Sequence, residues 1–227
     1  MPALAQLQRV NALLRPSWRA VSATLQSRDN RVRNGALSGA TVGVIGSGGA
    51  YPTNTGSSSA GLTVTVAEIG AENGIDYVSL RYNGVTNTTF FVLNLETTTQ
   101  IAALTGQTWT ESAFLRLISG NFTNITGVTL TINEQTSGGA FVTNGSSSAL
   151  SITSVFTRFS FTRTLSGGGT TAFAQPNVVF SCNNASAVDF TLRVGLPMLH
   201  PGSVALSPLR TSTAARTGVH FSNTARV

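Results

Sequence analysis

The chain has 227 residues, 41% of them hydrophobic, with 14 basic side chains against 8 acidic ones, two histidines and a single cysteine. That length fits one domain with a full core. Membrane insertion is not expected, because no apolar run approaches the roughly 20 residues that span a bilayer; Arg9 and Arg15 interrupt the one stretch that could resemble a secretory leader.

The net charge of +6 is carried by the ends. Residues 1–33 hold six arginines against Asp29, residues 210–227 hold three arginines and no acid, and the body between has five arginines against seven acids. A nucleic-acid-binding domain concentrates basic residues on a folded face. Here the folded body is slightly acidic, so nucleic acid is not an expected partner, and the terminal arginines suit docking to an acidic protein surface.

Leu4, Leu7, Leu14, Trp18, Val21 and Leu25 recur at alternating spacings of three and four, with Asn11 at the polar position, which is a heptad seam. Pro16 removes a helix hydrogen bond and restrains Arg15, so residues 1–33 are expected to form a short helical arm in two pieces that anchors or oligomerises the chain. From Asn34 the composition turns to Gly, Ser, Thr, Asn and β-branched residues. Strands are predicted around Thr41 to Ile45, Leu62 to Val66, Val78 to Tyr82, Thr88 to Leu95, Val128 to Ile132, Leu150 to Arg163, Phe173 to Phe180 and Val188 to Val194, separated by Gly-rich turns.

The run from Gln107 to Ile118 is read as the central strand around which the others pack, covered on both faces for part of its length, since Trp109, Ala113, Leu115 and Leu117 share one parity and Phe114 and Ile118 the other. Cys182 falls on a strand-like run and reads as a small buried side chain. Pro197, Pro201 and Pro208 predict an extended strap from Gly195 onward rather than a ladder. With no helical pattern between strands, the expected fold is all-β, an antiparallel jelly-roll β-sandwich over residues 34–210, with a loose or partner-ordered tail at 211–227.

Chemistry-bearing motifs are sparse. There is no Ser-His-Asp spacing, no His/Cys cluster and no phosphate loop, and Gly46-Ser47-Gly48-Gly49 lacks the lysine of a P-loop. Glu96, Glu111, Glu134 and Asp189 could supply a glycosidase pair only if the fold brings two of them to one cleft, so catalysis is not expected. Carbohydrate recognition asks for an aromatic face and amide or guanidinium groups; Tyr51, Tyr77, Arg81, Asn83, Asn87, Asn121 and Asn124 are the candidates. No cofactor is expected, and Asn34, Glu111 and Asp189 are the oxygens available to a structural Ca²⁺. Sequons at Asn87, Asn121, Asn124, Asn144 and Asn184 follow from a Thr/Ser/Asn-rich chain.

Three stretches together resemble the jelly-roll modules of tailed-phage fibres, head spikes and gene-transfer particles. They are Gly35-Ala36 through Gly48, then Tyr51-Pro52-Thr53-Asn54 and Asn73 to Tyr82; Gly106 to Ala113 with Arg116 to Gly120; and Ala187 to Leu199 with Gly202 and Ser207-Pro208-Leu209-Arg210-Thr211. Thr55 stands where those modules carry an aromatic residue, and His200 where they carry an acid. The resemblance covers about residues 30–212 and implies a carbohydrate-binding-module-like fold. It further implies a subunit on the virion surface, assembled in bacterial cytoplasm. Its partners would be a capsid vertex or other spike subunits, in a homo-oligomer such as a trimer or pentamer, and host surface polysaccharide. A structural adaptor without glycan binding and a polysaccharide-degrading enzyme are the alternatives.

Overall fold

A computed structural model describes residues 30–207. The seam positions Leu4, Leu7, Leu14, Trp18, Val21 and Leu25, and the tail from residue 211, lie outside the described residues.

The described chain forms two facing sheets. One has seven strands in the order β11 (Thr157–Thr164), β8 (Thr108–Gly120), β13 (Ala187–Pro201), β5 (Ile75–Val85), β4 (Thr63–Glu72), β1 (Gly43–Ile45) and β2 (Gly48–Gly49). The other has β10 (Phe141–Ser146), β9 (Ile125–Gln135), β12 (Phe173–Cys182), β6 (Phe90–Asn94) and β3 (Gly56–Ser58), with β7 (Ile101–Ala102) pairing the start of β12. Pairing is antiparallel except between β1 and β2. The strands are rich in Val, Thr, Phe and Ile, whose side chains pack well on a pleated surface, and they are two-faced because successive residues point to opposite sides.

The inward parity builds the core. Tyr82, Phe91, Phe180 and Phe190 are each fully buried, with the Phe91 and Phe180 rings stacked at 4.6 Å and those of Tyr82 and Phe190 at 5.4 Å. Four aromatics in mutual contact lock the two sheets together, since each pair adds about 0.5–1.5 kcal/mol beyond the area it buries. A second cluster, Val32, Ile101, Ala103, Trp109, Ile132, Leu165, Ala174 and Leu199, closes one end of the sandwich. Trp109 is core, as its parity predicts.

β8 is not the central strand that its sequence suggests but lies one strand in from the edge β11. Its outward Phe114 lies under Phe156, with ring centroids 5.5 Å apart, which explains the apolar residues on both parities. The strand ends at Gly120, where φ is 73° and a Cβ would come within 2.2 Å of the Asp189 carbonyl; only glycine fits that approach.

The closing segment departs from the sequence reading. The ladder does not stop near Val194 to become a strap: β13 continues to Pro201, pairing Met198 with Ser112 and Pro201 with Trp109. Pro197 is accommodated because the register shifts between Gly195 and Met198, so its missing N–H falls where the ladder is already interrupted. Its carbonyl accepts from Asn30 Nδ2 at 3.0 Å.

Both ends of the described chain sit together at this pole. The Arg31 N–H donates to the Leu199 carbonyl, and the Leu206 N–H donates to Nε2 of the next residue, His200. Arg33 is bound to the buried carboxylate of Glu96 through its backbone N–H at 2.8 Å and its guanidinium at 2.8 Å. Burial pushes the His200 pKa below its ordinary value, so the ring is neutral, with Nδ1 donating to the Pro201 carbonyl at 3.1 Å.

Candidate functional site: a cleft on the outer face of the six-stranded sheet

In β6, β9 and β12 the outward parity is not uniformly polar, and this builds a cleft. Because Phe91, Leu93 and Leu95 face the core, Phe90 and Val92 must face out. Val179 does the same between the buried Val178 and Phe180. The register places Val92 beside Val179 and Phe90 beside Ser181 across the β6–β12 ladder, and Asn133 opposite Asn144 across β9–β10. Together with Thr89 and Phe141 these residues line an open cleft of about 530 Å³, within the roughly 300–1,000 Å³ range of small-ligand sites.

Two phenylalanines form its rims. Phe90 is 55% exposed and Phe141 63% exposed, so neither ring is used by the core. Each is nonetheless held. The turn before Phe90 is fixed by the Cys182 N–H donating to the Thr89 carbonyl at 2.8 Å and by the Thr88 hydroxyl donating to the Phe90 carbonyl at 2.6 Å. Phe141 follows a tight β9–β10 turn in which the Thr136 N–H donates to the Ala140 carbonyl and the Gly139 N–H to that of Thr136, both at 2.9 Å. Val92 and Val179 make the floor, and the amides of Asn133 and Asn144 and the hydroxyls of Thr89 and Ser181 supply donors and acceptors. Aromatic edges, an apolar floor and neutral polar groups suit a ligand with one apolar face and many hydroxyls.

The residues singled out from the sequence fall elsewhere. Tyr77, Arg81 and Asn83 share the outer face of β5 in the other sheet. Tyr77 is buried there beneath Arg193, whose guanidinium carbon lies 3.6 Å from the ring centroid, and its hydroxyl donates to Glu68 at 2.8 Å. Burial and that bond raise the Tyr77 pKa; the same bond, before the Arg193 contacts, lowers that of Glu68. Arg193 also reaches Glu72, which Arg116 binds at 2.8 Å, so the charges of this face are paired with each other, although Arg116 Nε is buried without a hydrogen bond. Arg81 is clamped to Asp189 by two bonds of 2.9 and 2.8 Å. Tyr51 is half-buried against the core. Asn124 spends its amide on the Ala187 carbonyl and adopts φ 67°, a backbone role, and Asn121 caps Thr123. None of these six lines the cleft, and neither does Asn87.

The acids are likewise dispersed. Glu96 is bound to Arg33, Glu134 to Arg163, Asp189 to Arg81, and Glu111 is fully buried inside the sandwich with no hydrogen-bond partner on either oxygen. Asn34 is used by Ser38 and Thr53. Among the described residues no group of three or more His, Cys, Asp or Glu side chains is placed to hold a metal ion, and Asn34, Glu111 and Asp189 do not converge. Cys182 is buried, its pKa raised by that burial, and its thiol donates to the Thr88 carbonyl.

No protein-family model matches the sequence, and no curated protein matches it either. Among solved structures, the described fold is similar to an arabinose-bound α-L-arabinofuranosidase, with 17% identity over 78% of this chain and a TM-score of 0.50; the chain spans only 26% of that protein. A CBM22 xylan-binding domain from Paenibacillus barcinonensis matches at 14% identity and TM-score 0.42 over 67% of this chain and 88% of its own length. The tripod from the baseplate of bacteriophage Tuc2009 matches at 16% identity and TM-score 0.42, over 63% of this chain and 52% of that one. At these identities the likeness concerns the fold: an all-β sandwich of two facing sheets, with carbohydrate-binding modules and phage baseplate proteins among its structural neighbours.

Proposed function

We propose that this chain is a non-enzymatic particle-surface subunit, a head spike or fibre component, that binds host surface polysaccharide through the cleft between Phe90 and Phe141. The observation that carries the reading is the pair of exposed phenylalanines, each fixed by backbone hydrogen bonds, flanking a floor of Val92 and Val179 with Asn133 and Asn144 alongside. Exposed rings on rigid strands stack on the C–H faces of sugars, and amides bind the hydroxyls. The sequence resemblance to spike and fibre modules supports the particle surface as its location. The adjacent exits of both basic ends at one pole support attachment there to an acidic capsid or spike surface. None of Glu96, Glu111, Glu134 and Asp189 lines the cleft, which supports recognition without hydrolysis. Repeated copies turn weak single-site contacts into firm attachment.

The test is a pull-down with encapsulated and capsule-deficient host cells. Wild type is expected to be retained only by encapsulated cells, and Phe90→Ala and Phe141→Ala are each expected to weaken single-site affinity about tenfold, or about 1.4 kcal/mol, without lowering the melting temperature. Assembly with virion proteins but indifference to capsule would leave a structural adaptor. Loss of capsule viscosity on incubation would mean an enzyme.

A further inference from the structure

We infer that the saccharide this cleft takes is an uncharged one, or an uncharged stretch of a longer polymer, rather than a uronate-, sialate-, sulfate- or phosphate-bearing repeat. The inference rests on the glycan-binding reading and narrows it to a substrate class.

Among the described residues the lining carries no ionisable side chain. Its eight residues are two phenylalanines, two valines, two asparagines, a threonine and a serine. The nearest acids and bases along the same strands are already paired with each other. Glu96, on β6's continuation, is buried and bound by the Arg33 guanidinium. Glu134, next to Asn133 on β9, alternates to the opposite side of its strand, where it is bound by Arg163 and the 166–171 loop. The other arginines of the described body lie on the opposite sheet, Arg81 paired with Asp189, Arg116 and Arg193 with Glu72, and Arg158 bonded to the Ser112 hydroxyl.

A sugar carboxylate in this cleft would lose water against phenyl rings and valine methyls without gaining an arginine. Anionic glycans are recognised by the opposite design, in which a guanidinium fork meets the carboxylate. An amide side chain offers both a donor and an acceptor, which matches a neutral hydroxyl and is only half used by an anion. The lining therefore discriminates by charge as well as fitting the ligand.

The 227-residue chain is used throughout, and because its basic ends attract acidic polymers non-specifically, work at about 1 M salt, where the screening length falls to about 3 Å, suppresses that attraction. The probes are an array of neutral and uronate-bearing oligosaccharides, and one acidic polysaccharide before and after chemical reduction of its carboxylates to alcohols. Wild type, Phe141→Ala and Asn133→Ala would be compared by equilibrium binding. The expected result is binding of neutral members and of the reduced polymer at least about tenfold tighter than of their charged counterparts, with the difference abolished in Phe141→Ala and the affinity for neutral sugars unchanged between about 0.1 and 1 M salt. Phe141-dependent binding in which the charged members equal or exceed the neutral ones would overturn this inference and leave the glycan-binding cleft standing. Binding to no member in a Phe141-dependent way would overturn both.

Discussion

Glu134→Ala is expected to destabilise the protein by about 3–5 kcal/mol, the cost of breaking a buried ion pair from one side. Glu134 is fully buried on β9 and binds four groups: the Arg163 guanidinium, the Ser166 and Gly167 N–H groups at 2.9 Å each, and the Thr171 hydroxyl. Burial alone would raise its pKa, but the Thr171 hydroxyl, the two amides and Arg163 outweigh it and hold the carboxyl below its ordinary value. Removing it leaves Arg163, only 10% exposed, without its counter-charge and two loop amides without acceptors. Gly145 lies where the arginine passes, and a Cβ there would stand 2.8 Å from a guanidinium nitrogen, so the arginine has little room to swing out to water.

The measurement is urea unfolding of wild type, Glu134→Ala and Glu134→Gln. The glutamine variant keeps the volume and one acceptor and is expected to lose less. A folded carboxyl pKa below the unfolded value contributes stability above about pH 4.5 that is lost as pH falls. The gap between wild type and Glu134→Ala should therefore close in acid. A loss under about 1 kcal/mol, typical of an exposed pair, would mean that the arginine finds another partner.

The architecture was legible because strands advertise themselves by period. Alternation along Leu62 to Val66, Val78 to Tyr82, Val128 to Ile132 and Val188 to Val194 assigned the faces that the core uses, and the turn glycines marked the breaks. The extension of β13 past Pro197 was not legible, because a proline excludes a regular ladder but does not reveal a bulge, and the bulge depends on β8 and Asn30, far off in sequence. The candidate site was missed for a related reason. Single-residue chemistry drew attention to Tyr77 and Arg81, whose groups turn out to satisfy Arg193, Glu68 and Asp189. The signal that would have served was parity: in Phe90-Phe91-Val92-Leu93 both faces are apolar, so one of them must be apolar toward solvent or a partner. Phe141 and Asn144 could not be joined to it from sequence, because they arrive across three ladders.

The second large effect is expected at Glu111, whose replacement by glutamine should stabilise the protein more the higher the pH. The residue faces inward on β8, between Trp109 and Ala113 along the strand and across from Phe161 and Leu199 on the flanking ones. It is fully buried with neither oxygen in a hydrogen bond of ordinary geometry, and burial, only partly offset by the nearby Asn177 backbone amide, raises its pKa well above 4.5. The folded state therefore holds a neutral acid where the unfolded chain ionises near 4.5. A group raised in this way contributes its stability below the unfolded value and loses it as pH climbs toward the folded value, at about 1.4 kcal/mol per pH unit. Glu111→Gln has no proton to lose, so mutant minus wild-type stability should rise with pH above about 4.5, at up to about 1.4 kcal/mol per unit until the folded carboxyl ionises, and all other titrations cancel in the difference. Parallel pH profiles would show that Glu111 ionises inside the sandwich and has found a cation or a hydrogen bond. The same comparison bears on function, because a carboxyl sealed in the core has no route to a saccharide or a Ca²⁺ ion. Glycan binding by Glu111→Gln is expected to equal wild type while its stability does not, which separates what holds the two sheets together from what the outer cleft recognises.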